Sequence, residues 1–144
     1  MDKSWWSQCR LIPFDGQSTG NTVGPKGSCT WAQWSPDGKW MYFTADGGTG
    51  YHIWRQRFPN GAPQQLTPSG ASEEEGLSVM PDGKSLITAS GTSLSEIWLH
   101  DEKTGDRQIT LEGYALHPSF SPDGKKVYYS LPGTESDVWL VTLK

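Results

Sequence analysis

Three consecutive glutamates, Glu73, Glu74 and Glu75, are the residues of this chain whose type and spacing most readily suggest binding chemistry. Adjacent carboxylates create a negative potential that attracts a metal cation or a basic partner. Trp31 and His117 match the position next to Glu75 in the sequence repeat described below, so we predict that all five residues line one rim. Short acidic runs also occur in solvated loops that bind nothing. That plainer interpretation stays open, and so does the presence of a metal.

We predict no catalytic site in this chain. We identify no nucleophile elbow of a serine hydrolase, no His-Glu-x-x-His zinc motif, no Cys-x-x-Cys pair and no phosphate-binding glycine loop. The three histidines, His52, His100 and His117, do not share the spacing of metal ligands. The sequence therefore predicts a protein that is not an enzyme by itself and that carries no cofactor.

The elements that would position the rim are marked by three copies of one turn. These copies are Ser35-Pro36-Asp37-Gly38-Lys39, Met80-Pro81-Asp82-Gly83-Lys84 and Ser121-Pro122-Asp123-Gly124-Lys125. Their prolines are 45 and 41 residues apart, which is the length of a β-propeller blade. Proline fixes φ, and glycine takes the left-handed conformation that closes a short hairpin. The turn thus explains the recurring aspartates, and we predict that its residues are structural.

A second landmark follows each turn at nearly constant distance. An apolar residue and a tryptophan recur as Ile53-Trp54, Ile97-Trp98 and Val138-Trp139, with each tryptophan 18, 17 and 17 residues after the turn proline. Aromatic and β-branched runs flank both landmarks, as expected of strands. Each repeat therefore predicts four antiparallel strands, called a to d from the axis outward. The core should lie between blades and include Trp34, Met41, Val79, Leu86, Phe120 and Val127.

The repeat predicts an all-β protein with about three four-stranded blades in an incomplete ring. The predicted division is strands c and d of a preceding blade at 1–24, complete blades at 25–68 and 69–111, and a blade without its outer strand at 112–144. The stretch from Trp5 to Pro13 reads as the first strand c, with Cys9 in the tryptophan column. A closed ring needs at least about four blades. We therefore expect part of a longer propeller, or a homo-oligomer, or association with missing blades.

The turns and the Ile-Trp strands resemble the WD40-like repeat of bacterial TolB-type β-propellers from about Trp5 to Leu143. The stretches 52–59 and 113–120 are also similar to C-terminal propellers of larger bacterial signalling proteins, such as receptor-like kinases and winged-helix regulators. The repeat, the missing catalytic motifs and the acidic net charge favour a non-catalytic module for protein interaction or ligand sensing, as part of a bacterial signalling or envelope protein. The alternative is the accessory propeller of a prolyl-oligopeptidase-like hydrolase whose catalytic domain lies outside these residues.

Charge and hydropathy narrow the choice of partner. The net charge is −4 and the pI about 5.3, whereas a nucleic-acid partner would favour a basic face. No segment approaches the roughly 20 apolar residues of a membrane span. The first ten residues lack the apolar stretch of a signal peptide. We expect a protein partner or a small ligand, no nucleic acid and no membrane, with periplasm and cytoplasm both open.

The two cysteines, Cys9 and Cys29, are predicted to remain free thiols. Cys9 is assigned to an outer strand and Cys29 to an inner strand of the next blade. Two cysteines can pair only when their Cα atoms lie within about 7 Å. We expect a larger separation and therefore no disulfide.

Overall fold

The computed structural model describes residues 6–70, 72–91, 95–111, 114–131 and 137–142, and all regular structure within them is β-strand. The first sheet pairs β1 (Arg10–Leu11) with β2 (Asn21–Thr22). The second contains β3 (Cys29–Trp34), β4 (Trp40–Asp46), β5 (Tyr51–Arg57) and β6 (Gln64–Gln65). The third contains β7 (Glu73–Val79), β8 (Ser85–Gly91), β9 (Glu96–Asp101) and β10 (Arg107–Gln108). The last contains β11 (Leu116–Phe120), β12 (Lys126–Leu131) and β13 (Asp137–Thr142).

These sheets are the blades of an open propeller. Neighbours in sequence pair antiparallel within each sheet, and the four sheets do not close into a ring among the described residues. The inner strands β3, β7 and β11 follow one another side by side around the axis. Within the described ranges, no helix has the length and apolar character needed to cross a membrane. The predicted fold class is confirmed.

Each Pro-Asp-Gly turn closes a hairpin with its glycine in the left-handed backbone conformation, as predicted. Gly38, Gly83 and Gly124 have φ values of +69°, +73° and +69°. Each glycine N–H donates to the carbonyl oxygen three residues earlier, at 2.8 to 2.9 Å. A side chain larger than hydrogen is strained at such a φ, so the repeat uses glycine at this position.

The core lies between the sheets, as predicted, with one exception. Met41, Val79, Leu86 and Val127 are buried, and Phe120 packs against the core from a partly buried position. Trp34 keeps 41% of its surface exposed, so its predicted burial is wrong. The reason is that no inner strands cover this side of the second sheet in the described residues.

Cys9 and Cys29 form a disulfide, with their Cα atoms 5.4 Å apart, so the predicted free thiols are wrong. Val23 N donates to Cys9 O at 2.9 Å, just as Leu66 N donates to Ile53 O and Ile109 N to Ile97 O at 2.8 Å. These bonds align Cys9 with the two isoleucines and not with the tryptophan column. A shift of one residue turns a strand side chain to the opposite face. Cys9 therefore points at the next blade, where Cys29 lies.

Candidate functional site

The acidic run begins an inner strand. Glu73, Glu74 and Glu75 pair with Gly91, Ser90 and Ala89 of β8, so they belong to β7 and not to a loop. Strand alternation then separates their side chains, since Glu73 and Glu75 are exposed whereas Glu74 keeps only 7% of its surface. Two of the three carboxylates thus remain on the rim, and the third is taken into the protein.

Glu74 pairs with a histidine of the preceding blade. Its Oε2 lies 2.9 Å from Nδ1 of His52, whose side chain is fully buried. His52 Nε2 lies 3.2 Å from the carbonyl oxygen of Thr49. A carbonyl can only accept, so Nε2 carries a proton and donates to it. The Nδ1–Oε2 contact then holds one further proton, either as an imidazolium with a carboxylate or as an imidazole with a carboxylic acid.

Two opposing effects act on the Glu74 carboxyl group. Burial raises its pKa, while hydrogen bonds from His52 and Thr67 work in the opposite direction, and the net shift is upward. Glu74 is therefore not exposed on the rim as predicted. It is buried and makes a hydrogen bond that connects two blades. The sequence analysis missed His52, because the two residues are 22 positions apart and no spacing rule joins them.

Trp31 and His117 come together on the axial side of the sheets. Their ring centroids are 6.3 Å apart with the planes tilted by 31°. The aligned residue of the strand between them is Gly76, whose φ is +65°. His117 has a φ of +52°, an uncommon value for a residue with a side chain, and its Nδ1 lies 3.3 Å from the Ser130 hydroxyl. The aligned position thus presents a different surface in each blade.

A cleft of about 420 Å³ lies beside the acidic strand. Among the residues that line it are Glu73, Glu74, Glu75, Tyr51 and Tyr114. Trp31 and His117 form a separate pair and do not line this cleft, so the five predicted rim residues form two groups. In the part of the chain that the structure describes, no cluster of three His, Cys, Asp or Glu side chains could hold a metal ion.

One loop has the Gly-x-Ser-x-Gly spacing of a nucleophile elbow, although no such elbow was expected. Residues 16–20 read Gly-Gln-Ser-Thr-Gly. They lie in the loop between β1 and β2, whereas a nucleophile elbow joins a strand to a helix. The Ser18 hydroxyl accepts a hydrogen bond from Gly20 N at 3.0 Å, which is turn chemistry. The match gives no support for a catalytic serine.

Comparison with known proteins identifies the type of propeller. The chain matches no protein-family model. TolB from Acinetobacter baumannii superposes with a TM-score of 0.71 and 28% identity over 83% of this chain and 31% of that one. A puromycin-hydrolyzing peptidase from Mycobacterium tuberculosis superposes with a TM-score of 0.66 and 22% identity, over 92% and 22%.

A curated relative is a peptidase. Dipeptidyl-peptidase 5 from Porphyromonas endodontalis is 35% identical in a stretch that covers 46% of this chain. The same stretch covers 12% of that enzyme, so the chain spans only a small part of its curated relative and about a third of the Acinetobacter protein. The fold of this chain is that of the TolB-type β-propellers with which it superposes.

Proposed function

We propose that this chain, a TolB-type β-propeller segment, is a non-catalytic module that binds a protein partner or a small ligand at its axial rim. The observation that carries the proposal is the variation of side chains on a repeated backbone. Trp31, Gly76 and His117 occupy one aligned position of the three inner strands, yet Trp31 and His117 present an exposed indole and an exposed imidazole, whereas Gly76 has no side chain and is buried. A scaffold that repeats its frame and varies its rim is suited to recognition.

The chemistry of the rim favours a positively charged group. Glu73 and Glu75 are exposed and line the cleft with Tyr51 and Tyr114. Carboxylates attract a cation, and aromatic faces bind one through their quadrupole. The net charge of −4 adds a favourable field for a basic partner. We place the module within a larger bacterial signalling or envelope protein, because its repeat resembles the propellers of such proteins.

Titration of the rim tests this function. Calorimetry would compare tetralysine, Ca²⁺ and Zn²⁺ binding to the wild type and to Glu73→Gln/Glu75→Gln. Glu102→Gln is the matched control, because Glu102 is an exposed glutamate whose ion pair lies elsewhere, with Arg55. We expect one probe to bind the wild type and the control, and to lose at least about tenfold in affinity in the double variant. Binding that is equal in all three proteins, or absent from the wild type, would contradict the proposal.

A second candidate is the accessory propeller of a peptidase. The observation that favours it is the 35% identity to dipeptidyl-peptidase 5, together with the likeness to the puromycin-hydrolyzing peptidase. In this case the chemistry would belong to a hydrolase domain outside these residues. Assaying a dipeptidyl p-nitroanilide with the full product of the reading frame and with this segment distinguishes the two. Hydrolysis by the full product alone supports the peptidase; hydrolysis by neither supports the binding module.

We also propose that the chain associates through its open blade faces, with further blades of a propeller or with other copies of itself. Trp34 is exposed where the inner strands of the preceding blade would pack, and Tyr128 is exposed where the next blade would pack. Contiguous exposed apolar surface promotes association.

A further inference from the structure

One position of strand c faces the preceding blade. Gln56, His100 and Val141 occupy it, each paired with the same position of strand b in its own sheet. Gln56 Oε1 accepts a hydrogen bond from Gly24 N, which follows the first sheet, at 2.7 Å. Val141 packs against the apolar core between the third sheet and the last one. At these two places the contact between neighbouring blades is therefore closed, once by a hydrogen bond and once by apolar packing.

His100 lacks the cross-blade hydrogen bond that Gln56 makes. Its side chain keeps 19% of its surface, and its Nε2 is buried with no hydrogen-bond partner among the described residues. Its Nδ1 lies 3.1 Å from Oδ1 of Asp106. Because a carboxylate accepts and does not donate, it favours the neutral tautomer with the proton on Nδ1, and Nε2 is then an acceptor. Native proteins seldom leave a buried polar atom without a partner, so this acceptor needs a donor.

A pocket of about 190 Å³ adjoins His100 between the second and third sheets. Thr67, which aligns with Gly24, also lines it, so the pocket lies where the preceding blade has its hydrogen bond. Leu66 lines it too and is 38% exposed, whereas the aligned Ile109 packs against the core. The other apolar lining residues are Tyr42, Ile53, Pro68, Val79 and Leu86. The pocket thus combines apolar walls with one buried acceptor.

The charged groups around the pocket disfavour an ionic ligand. Carboxylates outnumber cationic groups there, and this set consists of Asp101, Glu102, Asp106, Arg55 and Lys84. An anion would therefore be repelled. A cation would have to compete with partners that the carboxylates already have. Asp101 accepts from the Ser85 hydroxyl at 2.6 Å and from two backbone N–H groups, and Glu102 lies 3.5 Å from Arg55. The pocket is therefore suited to a neutral molecule.

We propose that this pocket binds a small neutral aromatic molecule with one hydroxyl group, such as a phenol, whose O–H donates to His100 Nε2. A cavity of about 150 Å³ holds benzene, so a pocket of about 190 Å³ suits one ring with a small polar substituent. Since Nε2 is shielded from solvent, the ligand reaches it by displacing an exposed neighbour, for which Leu66 is suited. The site shares no lining residue with the cleft at the rim.

Phenol and toluene form the test pair, because they match in shape and differ in the donor. Titrated into the ¹⁵N-labelled chain, phenol should shift the amide signals of Thr67, Leu86 and His100, and toluene should bind at least about fivefold more weakly. His100→Leu keeps an apolar side chain and removes the acceptor, so phenol should fall to the affinity of toluene, whose own binding should stay within about twofold. Gln56→Leu, the same kind of change at the aligned position of the preceding blade, is the matched control and should preserve the preference for phenol.

A variant that fails to fold is covered by a measurement on the wild type. The ring ¹⁵N signal of His100 Nε2 should move upfield when phenol donates to it and should not move with toluene. The proposal is overturned if phenol binds no better than toluene, if benzoate binds better than phenol, if the amide shifts lie outside the pocket, or if saturating phenol leaves the Nε2 signal unchanged. Because neither Glu73 nor Glu75 lines this pocket, Glu73→Gln/Glu75→Gln should bind phenol like the wild type, and failure here leaves the rim proposal untouched.

Discussion

The hydroxyl of Ser35 connects both ends of the first Pro-Asp-Gly turn. It donates to Asp37 Oδ1 at 2.7 Å and accepts a hydrogen bond from Trp40 N at 2.9 Å. Asp37 Oδ1 also accepts from Lys39 N at 3.0 Å. Hydrogen bonds to the ionised form, that from Ser35 first, lower the pKa of Asp37. Asp123 is held by Ser121 in the same way, with the same direction of shift.

Replacing Ser35 by alanine should therefore raise the pKa of Asp37 toward its ordinary value. In the wild type, the contribution of the ionised carboxylate to stability is present above the unfolded pKa and is lost as pH falls through the lower folded pKa. In Ser35→Ala that contribution should be smaller, and its loss should be complete at a higher pH. Carboxyl ¹³C titration measures the shift, and Asp123 is the internal control. An unchanged Asp37 would show that the hydroxyl does not set its pKa.

The buried pair of His52 and Glu74 should be energetically coupled. Glu74→Leu leaves the His52 Nδ1 without its partner, so we expect a loss of about 3 kcal/mol or more in the free energy of unfolding. His52→Leu/Glu74→Leu should cost less than the sum of the single variants by about 1–3 kcal/mol. Urea unfolding measures all three. The control Glu75→Leu changes an exposed neighbour and should stay within about 0.5 kcal/mol; a similar loss there would contradict the pairing.

At the scale of strands, one position of the inner strand joins each blade to the blade before it. The position lies seven residues before the turn proline and is occupied by Cys29, Glu74 and Ala115. Cys29 forms a disulfide with the preceding sheet, and Glu74 forms a buried hydrogen bond. Ala115 is fully buried, and its N–H donates to Ser95 O at 2.8 Å. In the three blades this position thus forms a disulfide, a buried side-chain hydrogen bond, and a backbone hydrogen bond from a buried alanine.

Removing the disulfide should loosen the first sheet more than the others. The bond closes a loop across a separation of 20 residues, for which chain-entropy reasoning gives about 3 kcal/mol. Because β1 and β2 are two residues long, they have few bonds of their own to hold them. In Cys9→Ser/Cys29→Ser, hydrogen exchange should accelerate most at Leu11 and Val23. Equal acceleration in β8 and β9 would instead indicate global unfolding.

Structure that depends on neighbouring residues was predictable from this sequence, whereas contacts between residues far apart in the chain were not. The turns and strands were predictable because Pro36, Gly38 and their repeats act on adjacent residues. The disulfide was not predictable. Cys9 directly precedes the two-residue strand β1, and an error of one residue in aligning this segment with the repeat puts Cys9 on the opposite face. The burial of Glu74 was not predictable either, because its cause is a histidine on another blade. The strands that carry the candidate rim residues were therefore predictable and the contacts of Glu74 were not, while binding at the rim stays a prediction.

For the whole molecule, the second sheet and the last sheet each have one side that no other described sheet covers fully. Tyr128 of β12 is 40% exposed, whereas the aligned Tyr42 and Ile87 keep 9% and 0% of their surface. Trp34 is exposed on the opposite side. Each aligned residue becomes buried only where a further sheet packs on it. The same repeat therefore builds a closed core inside the chain and an open apolar face at each end.

These two faces should cause reversible self-association of the isolated chain. Contacts between a Trp34 face and a Tyr128 face join different surfaces, and such head-to-tail contacts either close into a ring or continue into longer assemblies. Light scattering should give an average mass that rises with concentration in the micromolar range. Trp34→Lys and Tyr128→Lys should each lower it, and combining them should give little further change because each blocks the same contact. His117→Lys, on the rim, is the control. A mass of one chain, 15.9 kDa, at every concentration would contradict association through the open faces.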